Sequence, residues 1–188
     1  MLSEERQREM YNRIGNLPVA WYNCFDRLLT ASELLFNQIF KINDEGSIND
    51  SALKPRELEV FSVVKMLRAM ALEDLFKALW LKSGEELVND GEYKKIPNTN
   101  DHNLIFIADK VSEKIDCEIN APERDLLKRL SLSITGGRYP IQSSWVNSKI
   151  QKYFGGGFGP PGVWHFPKDE KLFDTLVERL KKIFEENS

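Results

Sequence analysis

The fold is decided by the segment Arg68-Ala-Met-Ala-Leu-Glu73-Asp-Leu-Phe-Lys77-Ala-Leu-Trp80, where charged residues interrupt a strongly apolar helical pattern. This segment lies in a longer helix that we predict between Pro55 and Gly84, because proline is tolerated in the first helical turn and glycine is typical just beyond the last. Apolar residues cover most of its circumference, which is typical of the central helix of a bundle. These residues are Val60, Phe61, Val64, Leu67, Ala71, Leu72, Leu75, Phe76, Leu79 and Trp80.

Helical periodicity also marks most of the remaining chain, whereas strand signals are scarce. The sequence therefore predicts an all-α protein of one domain, a four- to six-helix up-and-down bundle. Further helices are expected over 18–42, 102–114, 120–136, 142–153 and 167–186, and Asp101 is expected to cap the helix over 102–114. We also predict a short charged helix within 1–14 and a polar connector over 85–100. By region, we predict a charged N-terminal segment (1–16), a helical core (17–153), a glycine-, proline- and aromatic-rich loop (154–166) and a C-terminal helix (167–186).

Composition excludes several classes of protein. The 188 residues carry 26 basic and 29 acidic side chains, a net charge of −3, so we expect no binding to double-stranded DNA through a general basic surface. The polar N-terminus predicts no signal peptide, and five charges within the most apolar window, 63–81, predict no membrane span. We expect a cytoplasmic protein in which Cys24 and Cys117 are reduced.

Motifs for cofactors, metals and hydrolytic catalysis are missing. The two histidines and two cysteines do not form a spacing typical of metal ligands, so we expect neither a metal nor a cofactor. The run Gly157-Phe-Gly-Pro-Pro-Gly162 formally fits the dinucleotide pattern, but no strand is predicted before it and its prolines lack amide donors. We therefore interpret it as a turn that redirects the chain.

Five residues form the candidate ligand-binding site: Glu73, Lys77, His102, Arg138 and Tyr139. Glu73 and Lys77 are four residues apart, so they form either a helix-surface ion pair or a pair that holds a polar ligand. His102 either satisfies the first turn of its helix or contacts a ligand. Arg138 and Tyr139 either anchor their turn, with Arg138 bonding a carboxylate such as that of Glu73, or clamp a phosphate and stack a base.

Four short motifs, taken together, resemble the HEPN superfamily, the "higher eukaryotes and prokaryotes nucleotide-binding" domains. The resemblance covers about residues 55–185. It implies a bundle of four to five helices, often dimeric, of a kind found in toxin–antitoxin pairs, phage defence and RNA processing. The motifs are Leu72-Glu73-Asp-Leu-Phe-Lys77-Ala-Leu-Trp80, His102-Asn-Leu104, Leu126-Leu-Lys-Arg-Leu130 and Gly137-Arg138-Tyr139-Pro140.

Many HEPN members are metal-independent ribonucleases with an Arg-x(4–6)-His motif, and this chain lacks it. No arginine precedes His102 or His165 at that spacing, and no suitable histidine follows Arg138. The resemblance therefore implies a non-enzymatic module that dimerises and binds a nucleotide, RNA or an antitoxin-type protein partner. One alternative is a divergent ribonuclease toxin that uses Glu73, His102 and Arg138. A second is a purely structural interaction protein.

Overall fold

Six α-helices make up most of the residues that the computed structural model describes, which are 3–40, 55–99, 102–136, 151–152, 158–159 and 164–186. Two short antiparallel hairpins, β1–β2 and β3–β4, accompany them. In chain order the elements are α1 (Glu4–Gly15), α2 (Pro18–Phe40), α3 (Pro55–Lys82), β1 (Val88–Asn89), β2 (Glu92–Tyr93), α4 (Leu104–Ser112), α5 (Ala121–Gly136), β3 (Gln151–Lys152), β4 (Phe158–Gly159) and α6 (Lys168–Glu186).

Helix α3 lies at the centre and packs against α2, α4, α5 and α6. Its apolar circumference explains this position, because each side of the helix must be covered by a neighbour. The prediction of one helical domain with this helix in the middle is confirmed, while the finer HEPN-like up-and-down arrangement stays a prediction. Fully buried side chains on α3 are Val64, Ala69, Ala71, Leu72, Leu75, Phe76, Ala78 and Leu79.

Local signals explain where several helices begin and end. Gly84 follows α3 with φ +87°, in the left-handed region that favours glycine. A reciprocal cap opens α5: the Glu123 N–H donates to Asn120 Oδ1 (3.0 Å) and the Asn120 N–H donates to Glu123 Oε2 (2.9 Å). The prediction that Asp101 caps the next helix is wrong. Asn103 does so instead, since its side chain accepts from the Phe106 N–H.

The hairpin β1–β2 lies in the stretch that we predicted as a polar connector. Asp90 and Gly91 at its turn both have positive φ, +53° and +77°, which the two-residue turn between twisted strands requires. The Asp-Gly pair was the sequence signal for this hairpin. Leu87, Val88 and Ile96 around it are buried, so the stretch belongs to the packed domain.

The second hairpin corrects the predicted helix over 142–153 at its C-terminal end. Gln151 pairs with Gly159, and Lys152 pairs with Phe158, so these backbone groups bond across strands instead of along a helix. Residues 142–150 and 153 of that prediction lie outside the described residues. A two-residue strand thus precedes the glycine-rich run, contrary to prediction, but it leads into an antiparallel strand and lacks the strand–helix order of a dinucleotide motif.

Arginine–carboxylate pairs tie α6 to the rest of the bundle, and two of them lie at its N-terminal end. Arg68, which is 2% exposed, donates twice to Glu170, at 2.8 and 2.6 Å. Arg129 likewise makes a two-bond contact with the buried Asp169. A planar guanidinium matches a carboxylate in this way, so each pair fixes orientation as well as distance. None of the helices within the described ranges combines the length and the hydrophobicity that a membrane-spanning segment requires.

Candidate functional site

Glu73 and Lys77 form a buried ion pair on α3. Only 5% of Glu73 and 7% of Lys77 are exposed, and Lys77 Nζ donates to Glu73 Oε1 at 2.6 Å. The interpretation of this pair as a helix-surface ion pair is therefore wrong. The side chains lie inside the domain because neighbouring elements cover α3 over residues 68–81, where nearly every position is buried.

His102 completes a chain of three polar side chains. Its Nδ1 lies 2.8 Å from Glu73 Oε2, and the imidazole is 36% exposed at the side-chain level. An ionised carboxylate only accepts hydrogen bonds, so Nδ1 carries the proton and donates to Glu73. Lys77, Glu73 and His102 thus run from the buried face of α3 to the protein surface, and Nε2 is the ring nitrogen that does not contact Glu73.

The backbone at His102 helps to place this ring. His102 has φ +73°, in the left-handed region, and the next residue, Asn103, caps α4. Histidine is one of the few non-glycine residues that adopt this region with some frequency. The Leu104 N–H donates to Ser131 Oγ at 3.0 Å, which holds the start of α4 against α5. The imidazole therefore projects from a turn whose C-terminal side is held by Asn103 and Ser131.

Electrostatics keeps the pair ionised. Burial favours the neutral form of Glu73, but Lys77 and the hydrogen bonds from Lys77 and His102 outweigh it and hold the pKa of Glu73 below its usual range. Burial likewise favours neutral Lys77, yet Glu73 raises the Lys77 pKa above its usual range, with a further contribution from Tyr93. The rings of Trp21 and Tyr93 lie 4.9 and 5.4 Å from Lys77 Nζ and add cation–π stabilisation.

Asp74 adds a second carboxylate beside the pair. Burial raises its pKa to about 6, the neighbouring Glu73 charge adds to that effect, and Lys77 opposes it. Sequence reasoning did not single out this residue. The sequence did contain a signal for it, because Asp74 lies between Glu73 and Lys77 in an apolar helix. Two neighbouring acidic groups there have a single nearby cation, Lys77.

The structure brings together three of the five predicted site residues. Glu73, Lys77 and His102 are in contact, whereas Arg138 and Tyr139 lie outside the described residues. Helix α5, which ends at Gly136, packs against α3, α4 and α6. No group of histidine, cysteine and acidic side chains within the described ranges has the arrangement of a metal site.

Comparison of this chain with protein families, with curated proteins and with solved structures gave no match.

Proposed function

We propose that this chain is a HEPN-like, non-enzymatic binding module that self-associates and binds a nucleotide or RNA through His102. The observation that carries the proposal is the hydrogen bond between His102 and the buried Glu73. Because Glu73 occupies Nδ1, the neutral imidazole offers Nε2 as an acceptor, which suits a ribose hydroxyl or a base N–H. When protonated, the same ring offers a charged donor to a phosphate.

The left-handed backbone at His102 supports a role beyond capping. A non-glycine residue in this region carries a conformational cost, and such residues cluster at binding sites that the surrounding structure holds in place. Capping of α4 is already performed by Asn103 and Ser131, so the His102 ring is not needed for it. The same proposal includes an antitoxin-type protein as a partner in place of RNA, in a toxin–antitoxin or phage-defence setting.

The proposal is tested by fluorescence anisotropy with a fluorescein-labelled, single-stranded RNA of mixed sequence. His102→Asn is the decisive variant, because asparagine also adopts the left-handed backbone while the imidazole is lost. We expect its affinity for RNA to fall about tenfold, the cost of one hydrogen bond to a charged group, with an unchanged far-ultraviolet circular-dichroism spectrum. Lys182→Ala, which removes a charge that is 74% exposed on α6, is the matched control and should bind like wild type. Equal binding by His102→Asn and wild type would refute the proposal.

A divergent ribonuclease is the second candidate, and the same hydrogen bond favours it. A carboxylate that orients a histidine through Nδ1 leaves Nε2 in position to accept or donate a proton during attack by a 2′-hydroxyl. Incubation of the protein with total RNA in EDTA, followed by analysis for 2′,3′-cyclic phosphate ends, tests this function. Cleavage that the folded variant His102→Asn loses and Lys182→Ala retains would establish the enzyme and overturn the non-enzymatic proposal. Intact RNA after prolonged incubation would remove this candidate.

A further inference from the structure

Helix α1 has an apolar side that no other element covers. It contains no buried residue, and Met10, Tyr11 and Ile14 are 43%, 49% and 48% exposed. Leu17 and Val19, just beyond the helix, are also exposed, at 41% and 52%. Large apolar side chains grouped in this way on one surface usually mark a site of association.

Met10, Tyr11 and Ile14 line one side of an open groove of about 500 Å³. Trp21, Val88 and Tyr93 form the opposite wall, so the lining is largely aromatic and aliphatic. The groove is preformed because α1 is fixed to the hairpin β1–β2: Asn16 Oδ1 accepts from the N–H groups of Leu87 and Val88 at 2.8 and 2.9 Å. Binding here therefore needs little reorganisation of the free chain.

Charges of both signs flank the apolar side of α1. Arg6, Glu9 and Arg13 surround Met10 in a second shallow depression. All three are exposed, and within the described part of the chain their side chains form no ion pair. Glu9 and Arg13 stand at equal distances along the helix from Tyr11 and carry opposite charges. A two-fold axis near Tyr11 would place Glu9 of each copy opposite Arg13 of the other, so the surface is complementary to itself.

We propose that this face binds a second copy of the chain, with the two α1 helices antiparallel and crossing near Tyr11. Met10 and Ile14 of both copies pack together, and Glu9 of each copy pairs with Arg13 of the other. This inference rests on the self-association included in the proposed function and names the surface that produces it. A lipid surface fits less well, because the basic residues of α1 (Arg6, Arg8, Arg13) are balanced by its acidic residues (Glu4, Glu5, Glu9).

Charge reversal followed by mixing tests the pairing directly in the full-length protein. Glu9→Arg and Arg13→Glu should each weaken the homodimer about tenfold in sedimentation-velocity experiments, since two attractive pairs become two repulsive ones. An equimolar mixture of the two variants should restore a dimer, because every contact across the axis is again between opposite charges. The double variant carrying both reversals should also dimerise. Variants that dimerise like wild type, or a mixture that stays monomeric, would overturn the assignment.

A second pair of variants tests the apolar part of the same surface. Met10→Glu combined with Ile14→Glu should abolish the dimer, whereas Leu34→Glu, which alters an apolar residue that is 67% exposed on α2, should leave it intact. Circular dichroism confirms that each variant is folded. A dimer that survives the double substitution places self-association elsewhere, which overturns this inference but not the proposed function. A monomeric wild-type chain that instead co-sediments with phosphatidylglycerol vesicles through Met10 and Ile14 overturns the inference in favour of a membrane.

Discussion

At the scale of single residues, burial on α3 changes what the common four-residue spacing of an acidic and a basic residue means. Glu73 and Lys77 have the four-residue spacing of a surface pair, yet both are buried and the third member, His102, reaches the surface. A buried charge is tolerated only with a partner, because the interior provides little solvation. The position of the His102 ring therefore depends on a pair of charges that water hardly reaches.

Removal of one charge from this pair should be strongly destabilising. We expect Glu73→Gln to lower the free energy of unfolding by about 3 to 5 kcal/mol, because Lys77 remains buried without a counter-charge. The double variant Glu73→Gln/Lys77→Met should lose less than Glu73→Gln alone. Urea denaturation measures both. As a control, Glu186→Ala breaks an exposed pair of the same spacing on α6 and should change stability by less than about 0.5 kcal/mol. A loss that small for Glu73→Gln would contradict the burial of the pair.

Asp74 predicts a pH dependence of stability with a defined sign. Its pKa is raised from an ordinary value of 3.8 to about 6 in the folded chain, so the folded state binds more protons between these values. Stability should therefore fall as the pH rises from about 4 to about 6 and stay lower above that window. Asp74→Asn should gain roughly 1 to 2 kcal/mol over wild type at pH 8 and almost nothing at pH 3.5, as measured by urea denaturation. A gain that is equal at both pH values would rule out burial of the charge as its cause.

At the scale of elements, one asparagine joins α1 to the hairpin β1–β2. The Asn16 side chain accepts from the backbone N–H groups of Leu87 and Val88, and its amide donates to the Val88 carbonyl at 2.6 Å. The contact is close: a Cβ added at Gly15 would lie 2.2 Å from Val88 Cγ2. Two elements that are far apart in the sequence thus both line the apolar groove.

Asn16→Ala should release α1 without unfolding the bundle. The variant leaves two partly buried N–H groups and one carbonyl without their partner, so we expect a loss of about 2 to 3 kcal/mol. Hydrogen exchange measured by mass spectrometry should accelerate in 4–15 and 86–93 and stay unchanged in α3. Asn23→Ala, at an exposed position on α2, is the matched control. Uniform acceleration over the whole chain would show that α1 is not a separable element.

At the scale of the whole molecule, the sequence revealed the helices better than their connections. Periodicity and punctuation found α3, because Pro55 and Gly84 are local signals. The hairpin β1–β2 was missed although Asp90-Gly91 is a typical hairpin turn sequence, because two-residue strands are too short to show an alternation of apolar and polar residues. The contact between Glu73 and His102 joins residues 29 apart in the sequence, and their burial depends on tertiary packing that periodicity does not encode. Motif order did place both residues among the candidates, but it could not give their distance.

Because α3 contacts four other helices, the described bundle should unfold as a single cooperative unit. Two substitutions test this: Phe25→Ala at a fully buried site on α2, and Arg68→Ala, which breaks the link from α3 to α6. Each should lower the free energy of unfolding by about 3 to 5 kcal/mol. In both variants we expect the loss of far-ultraviolet circular dichroism and the shift of tryptophan fluorescence to coincide, because no helix keeps a complete core once α3 is released. Tryptophans on α2 and α3 and just before α6 (Trp21, Trp80 and Trp164) make fluorescence sensitive to each side of the bundle. Two separated transitions in Arg68→Ala would mean that α6 unfolds independently of the other helices. The arginine–carboxylate pairs would then stabilise only the attachment of α6.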